Sequence, residues 1–571
     1  MEKWVVAAKR ADFQDISRKF GIDPVIARLI RNRDVIGDKE IDTYLHGKLS
    51  QLHSWKLLKG MEELLDILEK KIRENQKIRI IGDYDIDGIC STYILLKGLE
   101  RAGAHVDVDI PDRMKDGYGI SRELIDLAHD AGVDTILTCD NGISAIEQVA
   151  YARELGMTVL VTDHHEVPYE EQEDGSVLKF LPPAQAIVNP KQEDCFYPFK
   201  GICGGMVAFK VIQGLYETMG ISGREAESLI PFAAIATVGD VMDLTDENRI
   251  LVREGLRRLQ NTDNPGLKAL IRVNNLENRE ITAYHIGFIL GPCLNASGRL
   301  STAKRALNLL LCREEREAAL LAQDLKALND SRKDMTAKGV EEAVDLVENT
   351  DLGKDRVLVI YLPHCHESLA GIIAGRIRER YTKPAFVLTD GEEGVKGSGR
   401  SIEAYHMFRE LVKCRELLTK FGGHPMAAGL SFPRENVEAF RRLLNENCSL
   451  TPEDMVEKIV IDVPMPLSYV TIPLIRQLSL LEPFGKGNTK PVFAQKQVRL
   501  LQCRVLGKNR NVVKMKLADQ YGFQGEGVWF GDGDLFLEKA AQKQTWDLLY
   551  YPSINAYMGR ESIEFVIQSL R

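Results

Sequence analysis

The sequence predicts an α/β protein: a lobe on a parallel sheet, a long helix, a second α/β lobe and a small C-terminal β-barrel. Three observations carry this. A helix–glycine–strand unit closing on acidic residues recurs between residues 77 and 165, the pattern of a parallel sheet with functional groups at the carboxyl ends of its strands. Residues 302–349 keep helical periodicity almost without a break. From about Val456 the apolar period falls to two, as strands require.

In chain order, residues 1–74 read as a mostly helical extension, with MEELLDILEKKI (61–72) amphipathic at three and four spacing. KIRIIGD (77–83) reads as a buried strand and ICSTYILLKGLERAGA (89–104) as a helix stopped by Gly103. AHVDVDIPDR (104–113) is strand-like, and SRELIDLAHDAGVDTILTCDNG (121–142) and SAIEQVAYARELGMTVLVTDHH (144–165) each read as helix, glycine, strand. The segment 302–349, inside a linker region 271–350, would span roughly 70 Å if continuous. DRVLVIYL (355–362) opens the second α/β region. QVRLLQCRVLG (497–507), NVVKMKLAD (511–519), DLLYYPSINAYMG (547–559) and SIEFVIQSL (562–570) are the barrel strands.

The chain has 571 residues and a formal net charge of −9, so composition does not announce a nucleic-acid binder; the local field decides that. Ten cysteines without a CxxC pair argue against a zinc ribbon or disulfide framework and for a reducing compartment, the cytoplasm. The opening MEKWVVAAKRADF lacks a signal-peptide apolar region, and no 18-residue apolar run offers a membrane span.

The chemistry sits at the strand ends. Asp83, Asp85 and Asp87 alternate in GDYDIDG, and an extended chain would point all three carboxylates one way. Such crowding is unfavourable unless a cation answers it; the competing reading is a solvated surface turn. TCDNG adds Asp140, and TDHHE adds Asp163, His164 and His165. Asp240 follows an apolar helix-like run, with Asp243 and Asp246 as rivals. Carboxylates with one or two imidazoles suit paired Mn²⁺ or Mg²⁺ and metal-assisted phosphoester hydrolysis.

GDYDIDG (82–88), DNG (140–142) and TDHHE (162–166), in that order, resemble the signature of the DHH phosphoesterase superfamily, and the extended first motif resembles its bacterial RecJ branch of single-stranded-DNA-specific 5′→3′ exonucleases. LGPCLNASGRL (290–300) is similar to that branch's linker, HESLAGIIAGRI (366–377), GSGRS (397–401) and FGGHPMAAGLS (421–431) to its DHHA1 lobe, and LEPFGKGNTKPVF (481–493) to the start of its OB-type barrel. The resemblance implies a DHH catalytic domain over 75–270, a linker with a long helix over 271–350, a DHHA1 domain over 351–455 and an OB-type nucleic-acid-binding domain over 456–571. It implies two divalent cations held by Asp85, Asp87, Asp140, His164 and Asp240, with Asp87 bridging. His165 would face the scissile phosphate. Asp83 would support from outside or serve as an occasional ligand, and Asp163 would support by bracing its loop or orienting His164. Ile86 stands for the commoner Ala, VMDL replaces a hydrophobic-proline pattern near Asp243, and SLAG replaces GVIG near Leu369.

The second lobe would hold the strand near its 5′ terminus. GSGRS is expected to form a turn in which Gly397 and Gly399 let backbone N–H groups approach phosphate and Arg400 holds it bidentately. His424 would sit on a second turn and Arg376 on a helix, with His366 and Ser368 as helpers. On the barrel, Lys508, Arg510, Lys514 and Lys516 suit a phosphate backbone. Tyr521, Phe523, Trp529 and Phe530 are stacking candidates or core. The resemblance implies a role in DNA repair and recombination, single-stranded DNA as substrate, a single-strand-binding protein and a helicase as candidate partners, no membrane, and a monomer. The rival readings are a phosphodiesterase of the same superfamily acting on a small substrate, and a catalytically inactive DNA-binding scaffold.

Overall fold

The structure, a computed structural model, describes residues 2–113, 119–171, 176–391, 394–557 and 559–571. Its first sheet has five parallel strands in the order His105–Asp109, Lys77–Ile81, Thr135–Cys139, Thr158–Thr162, Ala186–Val188. The order reverses beside Lys77–Ile81, so the crevice for a ligand opens at the carboxyl end of that strand and of Thr135–Cys139. Register sets Ile81 against Thr138 and Cys139 against Thr162. GDYDIDG, DNG and DHH therefore emerge side by side. The strands are almost wholly buried, which is why they read as apolar runs. Helix Ile86–Arg101 is buried nearly all round between the sheet and helices Gly204–Thr218 and Ile230–Gly239.

The second lobe is a five-stranded mixed sheet ordered Lys420–Gly423, Ala427–Phe432, Gly394–Arg400, Ala385–Gly391, Leu358–Tyr361. At the C-terminus, Phe493–Leu506, Val512–Ala518, Gln524–Phe530, Arg560–Leu570 and Trp546–Tyr557 pair in sequence around a ring, and the last pairs back on the first to close a barrel.

Two expectations change. The helical pattern over 302–349 is two helices, Lys304–Leu311 and the 35-residue Glu315–Asn349, the latter about 52 Å long. At the break Asn264 Nδ2 donates to the Leu310 carbonyl at 2.8 Å, satisfying one of the helix's terminal carbonyls, and Cys312 turns to an extended conformation. Residues 1–74 do not pack as one extension. Ile26, Leu29, Ile30, Ile41 and Leu45 share the barrel's core, whereas Trp55, Leu64, Leu65 and Leu68 share that of the parallel-sheet lobe. Glu2–Val6 is a strand pairing in parallel with Glu457–Ile461.

Barrel and first lobe are joined by Arg249. Its guanidinium donates to the carbonyls of Tyr44, Leu481 and Leu480 at 2.9, 2.8 and 2.9 Å and lies 3.9 Å from the Tyr44 ring centre. Three carbonyl acceptors satisfy a cation with little solvent around it. Among the described residues, no helix is long and apolar enough to cross a membrane.

Candidate metal centre and its cationic cleft

A strand-to-helix turn, rather than extended alternation, gathers the first three acids. Asp85 is the N-cap of helix Ile86–Arg101, and its Oδ1 accepts from the backbone N–H of Asp87 at 3.0 Å and of Gly88 at 3.1 Å. Asp87 lies in the first helical turn. The flanking glycines serve close approach: a Cβ on Gly88 would lie 2.4 Å from the Asp83 carbonyl oxygen, and one on Gly82 2.0 Å from Thr92 Oγ1.

Asp87 is buried, and both its oxygens accept backbone hydrogen bonds. Gly204 N–H reaches Oδ2 and Gly205 N–H reaches Oδ1, each at 2.7 Å. These are N-terminal amides of the 15-residue helix Gly204–Thr218, whose dipole favours a carboxylate. Sequence reading missed this pair; its only local trace is the double glycine of GICGGMV. Both must lack a side chain, since a Cβ would meet Asp140 Cβ at 2.7 Å from Gly204 and Ala236 Cβ at 2.5 Å from Gly205.

Asp140 follows its strand with a left-handed φ of 61°, and its amide donates to the Thr162 carbonyl at 3.1 Å. Asn141 pins the neighbouring strand ends, its Nδ2 donating to the carbonyls of Ile81 at 3.0 Å and Cys139 at 2.9 Å. Asp163 braces the next loop: Oδ1 accepts from the amides of His164 (2.7 Å) and His165 (3.1 Å), and Oδ2 from that of Ile143 (2.9 Å). The ring it orients is that of His165, whose Nδ1 lies 2.8 Å from Asp163 Oδ1, not that of His164. Burial disfavours a charged His165, but the Asp163 carboxylate outweighs it and raises the imidazole to about 9. Burial also pushes Asp163 up, and its donors more than reverse this, leaving it below the usual range.

His164 is different. Its Nε2 lies 3.1 Å from Asp140 Oδ1, 3.5 Å from Asp87 Oδ2 and 3.7 Å from Asp240 Oδ2, yet neither ring nitrogen has a hydrogen-bond partner. Burial lowers its pKa, so the ring is neutral. Asp83 Oδ1 is likewise buried without a partner. Buried orphans of this kind each cost roughly 1–3 kcal/mol, and a neutral imidazole among carboxylates is a donor set for a divalent cation. Asp83, Asp85 and Asp140 form one group with ligand atoms within 4.8 Å of one another; Asp87, His164 and Asp240 form another; Asp140, His164 and His165 a third. The residues present thus fit two neighbouring ions. Burial first, and repulsion second, raise Asp85 and Asp140 and lift Asp83 and Asp240 to about 8. The rivals lie elsewhere: Asp243 faces Lys486 at 3.5 Å, and Asp246 faces His53 at 2.8 Å.

Beside this cluster a cleft of about 310 Å³ lies between the two lobes, lined by Arg113, Arg299, Ser368, Lys396, Ser398 and Arg400 among others. The Arg113 guanidinium sits 5.0 Å from the Tyr84 ring centre, linking cleft and GDYDIDG loop. Arg299 donates to the Ser368 carbonyl at 2.9 Å; burial, then repulsion from Arg113, Arg332 and Arg400, lowers it to about 10. Cations gathered against their own repulsion call for an anion. Arg113 was unforeseen, and Arg299 lay in the quoted linker motif without a role.

The expected GSGRS turn is a strand, Gly394–Arg400. Gly397 and Gly399 face packed side chains, where a Cβ would meet Leu388 Cδ2 at 2.4 Å and Met407 Sδ at 2.5 Å. The glycine that admits Arg400 is Gly371, whose Cβ would lie 2.7 Å from Arg400 Nη2. Arg400 Nη1 donates to Ser398 Oγ at 2.9 Å and to the Gly399 carbonyl at 2.8 Å. His366 N-caps helix Glu367–Tyr381 and lies 2.8 Å from Ser368 Oγ. Arg376 is exposed and paired with Glu379 at 3.4 Å, and His424 is exposed on a hairpin turn; neither lines the cleft.

On the barrel, Lys508, Lys514 and Lys516 are exposed, and Lys514 faces Glu564 at 3.2 Å. Arg510 is committed to Asp534, donating from Nε at 2.8 Å. Exposed Arg504 pairs in register with Lys514 and extends the basic track. Tyr521 and Phe530 are exposed, whereas Phe523 and Trp529 pack against the barrel core.

Comparison with known proteins agrees with this architecture. The DHH family N-terminal domain matches residues 77–238, the DHHA1 domain 354–450 and the RecJ OB domain 461–569. The single-stranded-DNA-specific exonuclease RecJ of Bacillus subtilis is 34% identical over 571 residues, covering 99% of this chain and 70% of the relative. That of Escherichia coli is 34% identical over 576 residues, covering 96% of each. The crystal structure of Thermus thermophilus RecJ in complex with Mn²⁺ superposes with a TM-score of 0.84 at 28% identity, covering 100% of this chain and 79% of that one. The Mg²⁺ complex gives 0.79 at 26% identity, with 100% and 78% covered. With identity at this level sustained over nearly the full length of both chains, the protein belongs to the RecJ family.

Proposed function

We propose that this protein is a 5′→3′ exonuclease specific for single-stranded DNA, releasing 5′-mononucleotides with two divalent cations, Mn²⁺ or Mg²⁺. The observation that carries the reading is the junction of a buried carboxylate–imidazole cluster with a cationic cleft through Tyr84 and Arg113. A terminal 5′-phosphate in that cleft would set the first phosphodiester against the cluster and so fix polarity.

Asp85 and Asp140, with Asp83 beside them, would hold one ion; Asp87, His164 and Asp240, again with Asp140, the other. Asp140, which belongs to two of the ligand groups, would help hold both ions, and Asp87, whose oxygens also accept from Gly204 and Gly205, would help hold one. When bound, such ions supply an activated water and neutralise charge on the phosphoryl oxygens. His165, whose Nδ1 is held by Asp163, would donate in its protonated form to a phosphoryl oxygen or to the leaving 3′-oxygen. Arg400, Arg299, Arg113 and Ser398 hold the terminal phosphate by charge-assisted hydrogen bonds, with Ser368 lining the cleft and His366 bracing Ser368 from behind. The barrel's Lys508, Lys514, Lys516 and Arg504 track the strand beyond. We assign residues 75–270 to catalysis, 351–455 to the phosphate-holding lobe and 456–571 to the strand-tracking barrel.

We place the work in DNA repair and recombination and in the cytoplasm, a reducing compartment in keeping with ten cysteines that are all free thiols. A helicase and a single-strand-binding protein, which expose and present single strands, are the partners in keeping with such a substrate, and the chain would act as a monomer. The test is time-resolved product sizing on 5′- and 3′-labelled single strands with and without Mn²⁺. The 5′ label should appear at once as a mononucleotide while the 3′-labelled strand shortens stepwise, only with metal. Early loss of the 3′ label, or action confined to short RNA or dinucleotides, would overturn the reading.

A further inference from the structure

Tyr284 and Phe288 form an exposed aromatic pair that nothing above uses. They are 61% and 64% exposed, and their rings stack with centres 4.9 Å apart and planes 26° from parallel. Two large apolar rings held together in water are unfavourable without a purpose. They project where helix Ala283–His285 passes into the π-helical turn Ile286–Leu290, a rare geometry that gathers at functional sites.

The position is the informative part. Ala283 packs with Ala234, Leu244 and Val252, and a Cβ on Gly287 would lie 3.7 Å from Val238 Cγ1. The aromatic turn thus rests on the helix Ile230–Gly239, which Asp240 caps, at the edge of the acidic cluster. Immediately after Asp240, Val241 is 61% exposed with φ 56°, a strained backbone for a β-branched residue. The same rod of chain continues as helix Gly291–Leu300, where Asn295 Oδ1 accepts from the Ile86 amide at 2.8 Å and Arg299 enters the cationic cleft. One continuous helical segment therefore carries an anion-holding group at one end and an aromatic pair at the other, passing behind the acids. The 15-residue step from Tyr284 to Arg299 is about 22 Å of helix, or roughly six nucleotides at the 3.4 Å rise of a stacked strand and fewer for an extended one.

We infer that Tyr284 and Phe288 are a stacking platform for unpaired nucleobases roughly three to six positions from the 5′ end, on the side of the acidic cluster away from the cationic cleft. The occupant is a single strand because the platform is continuous with a site that takes one, and the inference rests on that reading of the site. Flat rings accept any base and demand that it be unpaired, so the platform reads strandedness and not sequence.

The test measures binding of a 5′-phosphorylated 20-nucleotide single strand in EDTA by anisotropy, with intact bases or an abasic block at positions 3–6, alongside hydrolysis in Mn²⁺. In wild type the abasic block should weaken binding. In the Tyr284→Ala/Phe288→Ala double variant, Kd for the intact strand should rise roughly 5- to 100-fold, the abasic penalty should vanish, and kcat should stay within about twofold. Phe288→Leu, which keeps the apolar volume and loses the flat face, should also raise Kd for the intact strand. Unchanged Kd in the double variant, full affinity in Phe288→Leu, or an altered oligomeric state with unaltered DNA binding would overturn the platform. A wild type that binds with the abasic penalty and releases no nucleotide in Mn²⁺ would overturn the exonuclease reading and leave the platform standing.

Discussion

Asp87 Oδ2 accepts a 2.7 Å hydrogen bond from the Gly204 amide, across 117 residues of chain, and Gly205 does the same for Oδ1. A carboxylate hydrogen-bonded to two amides at a helix N-terminus is oriented before any cation arrives. Gly204→Ala would drive a Cβ to 2.7 Å from Asp140 Cβ and part the two acids. Mn²⁺ affinity, measured by titration calorimetry, should fall roughly 10- to 100-fold, with hydrolysis falling alongside it. Wild-type affinity would show that this contact does not organise the site.

Metal-free protein should be sensitive to pH in a defined direction. Asp83 and Asp240 rise from 3.8 to about 8, and Asp85 and Asp140 also rise, so these acids bind more protons folded than unfolded. Their contribution is fully present below about pH 4 and is lost as pH climbs through about 8. The rise in Tm on adding Mn²⁺ over EDTA should therefore grow from pH 5 to pH 8. A metal-induced shift that is constant or shrinks across that range would contradict the assignment.

The cleft makes a prediction about the end group. Arg400→Ala should raise KM for a 5′-phosphorylated strand by about 10-fold or more, the scale of one charge-assisted hydrogen bond, and should erase the preference over a 5′-hydroxyl strand. Arg376→Ala and His424→Ala, whose side chains lie off the cleft, should leave that preference intact. Competition assays between the two end groups check both.

Salt dependence separates the barrel's cations. Lys516→Ala and Arg504→Ala should each flatten the plot of log affinity against log salt by about 0.7, one phosphate contact on a single strand. Arg510→Ala should change the slope little, because Asp534 already occupies that guanidinium.

What was legible in the sequence was local. Three strand ends, each closing an apolar run with acids, announced the parallel sheet and six of the cluster's residues, and a two-residue period announced the barrel. What escaped depends on partners distant in the chain. No local pattern tells that Gly204 and Gly205 cradle Asp87, that Arg113 joins Arg400 across two lobes, or that Glu2–Val6 finds Glu457–Ile461. At the helix break before Glu315 Asn264 takes the Leu310 carbonyl, a contact propensity does not report. Glycines misled in GSGRS because the same residue serves a turn and a tightly packed strand. There, Met407 and Leu388 rather than φ demand it.

The two-metal reading, in which Asp140 would help hold both ions, is tested most directly by counting Mn²⁺ per chain in wild type and in Asp140→Ala while following release of 5′-mononucleotides from single-stranded DNA. Wild type should hold two ions and hydrolyse the strand. Asp140→Ala should keep its fold in EDTA, hold fewer than two ions and release nothing above background. An Asp140→Ala protein that retains two ions and hydrolyses at the wild-type rate would contradict the two-metal centre built on this carboxylate.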